Sequence, residues 1–297
     1  MADDVLYGRT ARLTIATPVA TPGDYRNSTS DVLEINGSDD AEDPGNRVQF
    51  KITKTDSRDP NTAELTITNL SPTTRALLQR KGAKVLFEAG YLATGRSGLF
   101  RGDVRTVDHA RDGADWTTVI KCGDGERSWR YARLSESFAA GTGAGDVLKR
   151  LANATGLQLG NIPTEVASIT TTFDQGYAVS GPVSRSLARL VASLGYTWSI
   201  QDETLQILLP GSALAIAIPE IGPDSGLVGS PEMGSPEDTG GPALCKFKAL
   251  LTPTRPGAKV RLRSRRYSGE VLVKRCTFEG DTSGGPWHTT FEGQILR

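Results

Sequence analysis

The chain has 297 residues, which is long for a single hydrophobic core and sufficient for two or three packed modules. Its 34 basic and 34 acidic residues cancel, so no net field would concentrate a polyanion or an anionic membrane. Three cysteines without a CxxC pair argue against a disulfide framework and a structural zinc site, and are typical of reduced thiols in a protein assembled in the cytosol.

The first 125 residues are predicted to form strands joined by turns. Glycine and proline are frequent there, and polar residues alternate with apolar ones. Strands are predicted at residues 12–16, 48–52, 63–68, 84–91, 99–107 and 116–122. The stretch 36–46 has four carboxylates without EF-hand spacing, which predicts a mobile loop that holds no metal. Ser71 as an N-cap before Pro72 predicts a short helix reaching residue 80.

The middle of the chain changes to a helical pattern. Apolar residues recur at helical spacing from residue 146 to Gly156 and from residue 184 to Gly195. Two short strands at 196–200 and 204–209 then flank a turn, which predicts a hairpin packed on the helices. Residues 130–212 are therefore predicted to form a small mixed α/β insert.

The last part of the chain returns to a β pattern. Residues 221–242 are rich in glycine, proline and serine and offer little to a core, and strands are predicted from residue 243 to the end. No window reaches the roughly 18 apolar residues of a membrane-spanning helix. Residues 1–7 lack the apolar core of a signal peptide, so we expect no membrane partner.

The two β regions contain the same short sequences in the same order. LSPTTR and GAKV at residues 70–85 match LTPTR and GAKV at 251–260, FRGDV at 100–104 matches YSGEV at 267–271, and Trp116 matches Trp287. We infer two related β-barrel modules, at residues 1–129 and 213–297, separated by the insert 130–212. Three such chains in a ring would present six similar modules, which suits a junction between six-fold and three-fold objects.

These residues resemble a family, the tail or baseplate hub proteins of bacteriophages, which includes proteins like late control protein D and the hub part of type VI secretion spike proteins. The likeness rests on residues 50–91, on LFRGD at 99–103, on SGLVGSP at 225–231 and on the segment before Trp287. Residues 231–241 depart from the family pattern, which leaves the strand pairing there open.

The resemblance implies a homotrimeric ring of tube-type barrels that joins the six-fold tail tube to the three-fold central spike or tip. Its expected partners are the tail tube protein, the spike or tip protein and other baseplate proteins. It implies no cofactor and no sequence-specific nucleic acid, although DNA could pass through the lumen. The expected location is the virion tail, after assembly in the host cytoplasm.

One charged feature suggests a contact site. Alternating positions of a predicted strand carry cations, which places them on one face, and a further arginine follows. The residues are Lys259, Arg261, Arg263, Arg265 and Arg266. Three interpretations stay open: a solvated edge that discourages aggregation, a surface for an acidic protein partner, or a contact with the DNA backbone.

No residue is predicted to be catalytic, to bind a cofactor or to hold a metal. His109 and His288 lie outside any nucleophile motif, and the glycine-rich run 141–145 lacks the ending of a phosphate-binding loop. We therefore expect no enzymatic activity. Two other functions stay open: a glycan-binding adhesin of the tail tip, which needs exposed aromatic residues, and a cell-wall hydrolase, which needs paired carboxylates across a cleft.

Overall fold

The computed structural model describes residues 8–18, 30–40, 42, 44–234 and 243–296. The first part of the chain forms seven strands and one short helix. They are β1 (Arg9–Pro18), β2 (Ser30–Ser38), β3 (Val48–Thr55), β4 (Thr62–Thr68), α1 (Pro72–Leu78), β5 (Lys84–Tyr91), β6 (Gly95–Asp112) and β7 (Asp115–Gly123). Ser71 caps α1 as predicted, because its side chain accepts a hydrogen bond from the Thr74 backbone N–H.

The middle of the chain alternates short helices and strands. They are α2 (Glu126–Tyr131), β8 (Arg133–Phe138), β9 (Thr142–Gly143), α3 (Ala144–Ala154), β10 (Gln158–Leu159), α4 (Ile162–Val166), β11 (Thr172–Phe173), β12 (Tyr177–Pro182), α5 (Val183–Ser193), β13 (Thr197–Gln201) and β14 (Thr204–Leu208). The buried faces of α3 and α5 form a core with β13 and β14 that is separate from the main sheet. Helices α3 and α5 and the hairpin of β13 and β14 lie within a residue or two of the positions that the sequence predicts, whereas the insert as a separate domain stays a prediction.

The last part contributes six strands. They are β15 (Glu220–Ile221), β16 (Leu227–Gly234), β17 (Leu244–Leu250), β18 (Lys259–Arg263), β19 (Ser268–Asp281) and β20 (Trp287–Ile295). The strand β16 lies inside the stretch that was expected to contribute little, and it pairs antiparallel with β17. Similarly, residues 36–38 belong to β2 rather than to the predicted loop, while Asp43 of that loop lies outside the described residues.

Among the described residues, one sheet of 13 strands contains all the strands outside the insert, in the order β16-β17-β20-β19-β3-β4-β7-β6-β5-β1-β2. Strand β18 also pairs with β19, and β15 pairs with β18. A mainly β fold was predicted correctly, but closed barrels are not seen, since no ladder joins β2 to β3 among the described strands. The reason is that β19 pairs with both β20 and β3, which merges the two β regions into one sheet. A single hydrophobic core runs beneath both regions.

Two runs of five strands within this sheet share one strand order. We name β3-β4-β7-β6-β5 the first unit and β16-β17-β20-β19-β18 the second unit. The ladder between β6 and β7 is irregular between Val104 and Thr106, and the ladder between β19 and β20 is irregular between Val273 and Arg275. When these two irregularities are aligned, each residue of β6 corresponds to the residue of β19 whose number is higher by 169.

This correspondence corrects the sequence comparison at one place. Gly102 lies opposite Val85, whereas Gly269 lies opposite Leu262. The residue opposite Val260, the counterpart of Val85, is Val271. The alignment of FRGDV with YSGEV therefore differs by two residues from the alignment that the strand ladders give. Because side chains alternate along a strand, a shift of two residues keeps each side chain on the same face.

The three cysteines, Cys122, Cys245 and Cys276, are free and buried, in agreement with the prediction of reduced thiols. Burial raises the pKa of Cys122 and of Cys276 to about 12, and that of Cys245 to about 11. These thiols should react slowly near neutral pH, because the thiolate is the nucleophile. Within the described ranges, no helix is both long and apolar enough to cross a membrane.

Candidate interaction surfaces

The predicted cationic residues lie on and just after β18, and most of them are already engaged. Lys259 Nζ lies 3.0 Å and Arg261 Nη2 3.5 Å from Glu270 carboxylate oxygens on β19. Arg263 donates to Glu220 of β15 over 2.8 Å. Lys259 lowers the pKa of Glu270, by a hydrogen bond and by its charge. These side chains are largely solvated, so each pair contributes little to the stability of the fold.

The remaining two cations extend this surface towards β16. Arg265 is exposed, and Arg266 Nη1 lies 3.5 Å from the Pro231 carbonyl oxygen. Strand β18 is not an outer edge, because β19 pairs with one side and the two-residue β15 with the other. Three of the five cations pair with Glu220 and Glu270, and the other two have no carboxylate partner among the described residues, which leaves a positive surplus here.

The insert meets the sheet through a buried polar joint at the β13–β14 turn. Lys54 of β3 is 2% exposed, and its Nζ lies 2.7 and 2.6 Å from the two carboxylate oxygens of Asp202. The fully buried Asp124 accepts backbone N–H bonds from Asp202 over 2.6 Å and from Glu203 over 2.7 Å. Asn61 donates to the same Asp124 carboxylate over 3.1 Å.

The turn itself has a conformation that few residue types adopt. Asp202 and Glu203 have φ values of 55° and 60°, which usually require glycine or asparagine in a two-residue hairpin turn. The Asp124 carboxylate offsets this strain by accepting both backbone N–H groups. Glu203 is also held by Lys84 and, over 2.8 Å, by Arg101. The joint therefore fixes the insert relative to the first unit.

Asp124 makes this joint sensitive to pH. Its burial and the nearby Asp202 charge raise the pKa of Asp124 to about 6 from 3.8, although the two N–H bonds and Lys54 oppose the shift. Because the folded chain then binds this proton more tightly than the unfolded chain, the stabilisation is complete below about pH 4 and is lost as the pH rises through about 6.

We therefore expect the free energy of unfolding of the native chain to fall relative to that of Asp124→Asn between pH 4 and pH 6, by on the order of 3 kcal/mol. The asparagine is uncharged at every pH, as the protonated carboxyl is. Urea unfolding at several pH values measures the difference. Asp174→Asn, at an exposed position, is the control and should run parallel to the native chain. Parallel curves for Asp124→Asn would contradict the account.

A basic cleft of about 650 Å³ lies beside this joint. Its walls include Arg58, Arg133 and Arg185, together with Trp129 and Trp198, whose ring centroids are 4.3 Å apart. Trp198 is only 3% exposed, and its indole packs in the insert core. This tilted pair therefore does not provide the open aromatic platform that a glycan-binding adhesin needs.

The two histidines are built into strands. His109 Nδ1 lies 3.0 Å from the Thr118 hydroxyl oxygen of the neighbouring β7. His288 Nε2 lies 3.3 Å from a Glu279 carboxylate oxygen of the neighbouring β19. Across the described residues, no group of three or more histidine, cysteine, aspartate or glutamate side chains is arranged to hold a metal ion.

Solved structures of tail proteins share this fold over almost the whole chain. The 43 kDa tail protein of prophage MuSo2 from Shewanella oneidensis has a TM-score of 0.61 and 9% sequence identity, and the match covers 96% of each chain. A tail protein from Neisseria meningitidis has a TM-score of 0.60 and 8% identity, again over 96% of each chain. No protein-family model and no curated protein sequence matches the chain.

A secretion spike complex shows the same likeness. A chain of the PdpA–VgrG complex of Francisella has a TM-score of 0.57 and 8% identity, over 97% of this chain and 58% of that one. The chain thus has the fold of phage tail proteins, which is also found in that complex, as the sequence resemblance implied. At sequence identities of 8% and 9%, the similarity establishes the fold and does not establish the function.

Proposed function

We propose, from this tail-protein fold, that the chain is a structural tail or baseplate hub that forms a homotrimeric ring between the six-fold tail tube and the three-fold central spike or tip. The observation that supports it most is the shared strand order of the first and second units. One chain then supplies two similar units, and three chains in a ring supply six. Such a ring matches a six-fold tube on one side and a three-fold spike on the other.

The two units are, in this proposal, copies of one ancestral tube-type module. Their common strand order and the matching irregularities at Val104 and Val273 support a duplication. We further propose the division into residues 1–129, 130–212 and 213–297, which the separate core of the insert supports. Closure of the sheets into barrels would then take place in the assembled ring rather than in one chain.

The proposed partners are the tail tube protein, the spike or tip protein and other baseplate proteins. The protein would act in the virion tail after assembly in the host cytoplasm, and DNA could pass through the lumen without sequence-specific contacts. The zero net charge supports a role in protein contacts rather than in holding DNA. The hub would carry out no chemistry of its own.

Electron microscopy of purified particles tests this function. The proposal predicts end-on views with three-fold symmetry, six similar lobes and an axial channel. Particles that stay single and asymmetric, also when tube and spike proteins are expressed with them, would contradict it.

For the cationic face we propose an acidic protein partner in the tail. The variant Arg261→Glu with Arg263→Glu should weaken binding of that partner on the order of a hundredfold, because like charges would then face each other. The free energy of unfolding should change little, since both side chains are solvated. Co-purification with tube and spike proteins, followed by calorimetry, measures the loss.

Lys81→Glu, at an exposed position away from this face, is the matched control and should bind normally. Unchanged binding by the double variant would mean that the cations only keep this surface solvated.

A further inference from the structure

The two units are joined within the chain by one strand pair, and the corresponding second pair is not formed among the described residues. Residues 275–281 of β19 pair with β3 on one side, and residues 275–280 also pair with β20 on the other. The counterpart of this segment is residues 106–112 of β6, which pair with β7 on one side. Among the described strands nothing pairs with their other side, because β5 ends its ladder at Asp103.

Strand β16, the counterpart of β3, likewise has one edge without a partner among the described strands. Strand β3 lies between β4 and β19, whereas β16 pairs with β17 alone within the described part of the chain. The chain therefore pairs β3 of the first unit with β19 of the second unit. Among the described residues it leaves two corresponding edges without a partner, the outer edge of β16 in the second unit and one side of residues 106–112 of β6 in the first.

Side chains near the β3–β19 pair are more buried than their counterparts near the edges that lack a partner. Trp287, at the start of β20, is 6% exposed because Phe50 of β3 packs edge-on against it, with ring centroids 5.2 Å apart. Trp116, at the same place in β7, is 36% exposed. Among the described residues, no aromatic side chain covers Trp116 in the way that Phe50 covers Trp287.

The facing residues in the strands show the same contrast. Phe278 lies opposite Ile52 in the β19–β3 ladder, and both are fully buried. In the other unit, His109 is the counterpart of Phe278, and Met233 is the counterpart of Ile52. His109 is half-buried and Met233 is 40% exposed, as expected for strands that lack the neighbour.

We propose that β16 of one copy of this chain pairs antiparallel with residues 106–112 of β6 in the next copy, repeating between chains the contact that β3 and β19 make within a chain. This inference rests on the proposed ring and names its interface. The contact is head-to-tail, since two different strands meet, and such contacts close into rings when the rotation allows. In the repeated register, Met233 faces His109 of the partner copy and Glu232 faces Ala110.

The irregular part of β16 defines how far this ladder extends. The register of β16 with β17 shifts between Val228 and Glu232, and Pro231 within the shift has no backbone N–H to donate. The new ladder therefore runs through Glu232 to Gly234, is interrupted, and resumes at Val228. Val228 and Met233, which are 42% and 40% exposed, would both be covered by the neighbouring copy.

Chemical cross-linking tests the pairing at one defined position. Lys51 and Glu279 face each other in the β3–β19 ladder and form an ion pair of 2.8 Å. Their counterparts are Glu232 and Ala110, both exposed. In the variant Glu232→Cys with Ala110→Cys, a short bis-maleimide should join neighbouring chains. Each thiol adds across one maleimide double bond, so no oxidant is needed.

We expect covalent dimers and trimers of the double variant on a denaturing gel, and only monomers of either single variant. Ala110→Cys with Asp174→Cys is the matched control, because Asp174 lies on the insert, and it should also stay monomeric. The three native thiols are buried and should not react.

Light scattering on the same samples distinguishes the proposed strand pairing from the proposed trimeric ring. A trimer mass with cross-linking only in the double variant supports the strand pairing. A trimer mass without cross-linking overturns the pairing and leaves the ring. A monomer mass without cross-linking overturns both.

Discussion

Replacing Trp287 by alanine is expected to lower the free energy of unfolding by about 3–5 kcal/mol, which is the usual cost of removing a buried tryptophan. The side chain is 6% exposed and packs against Phe50, and the Arg9 guanidinium lies 5.6 Å from its ring centroid. It therefore holds β20 of the second unit against β3 of the first. Urea unfolding at a fixed protein concentration measures the loss.

Trp116→Ala is the matched control, because Trp116 has the same place in the first unit. It is 36% exposed, and the Arg75 guanidinium stacks 3.9 Å from its ring centroid. We expect a loss of about 1 kcal/mol in the stability of the single chain. The same change should weaken association between chains, since the proposed interface would bury this ring. Equal losses of stability for the two variants would contradict the difference in their surroundings.

Asp202→Asn should remove about 3–5 kcal/mol from the free energy of unfolding, because the buried charge of Lys54 loses the carboxylate that it pairs with directly. Lys54 is 2% exposed and has both Asp202 oxygens within 2.7 Å. Asparagine keeps the size of the side chain and tolerates the φ of 55° at this turn. The effect therefore reports the charge rather than the backbone, and thermal or urea unfolding measures it.

The double variant Lys54→Met with Asp202→Asn is the control for this interpretation. It removes both charges, so it should recover much of the stability that Asp202→Asn loses. A single variant as stable as the native chain would mean that Lys54 reaches solvent. A double variant no more stable than the single one would mean that the turn depends on the Asp202 carboxylate for another reason.

The strands and helices could be predicted where local patterns decide them. Alternation over residues 48–52 and 63–68 predicted β3 and β4, and helical spacing predicted α3 and α5. Strand β16 was missed because its sequence, LVGSPEMG, has little strand propensity of its own. It is held by its ladder with β17, and strand propensity depends on such neighbours.

The joint could not be predicted because its partners are far apart in sequence. The sequence predicted a turn at residues 201–203, but nothing local indicates that Asp124, 78 residues before Asp202, accepts its backbone N–H. The cationic strand is similar. Alternation placed the cations on one face, whereas Glu220 and Glu270, which engage them, come from two other strands.

The relation of the two units stays a prediction, whereas the predicted closed barrels are not seen among the described strands. Repeated short sequences indicated two related modules, and the strand orders agree with that hypothesis. Closed barrels were expected because each module was considered alone. The pairing of β19 with β3 depends on residues more than 200 positions apart, which no local pattern reveals.

The solution mass of the purified protein, measured by light scattering, tests the central claim most directly. One chain has a mass of 31.7 kDa, so the account predicts three times that value, about 95 kDa, for the ring. The mass should hold on dilution and fall for a variant such as Met233→Lys, which places a charge in the proposed contact. A mass of 31.7 kDa at every concentration, with tube and spike proteins also present, would contradict the hub.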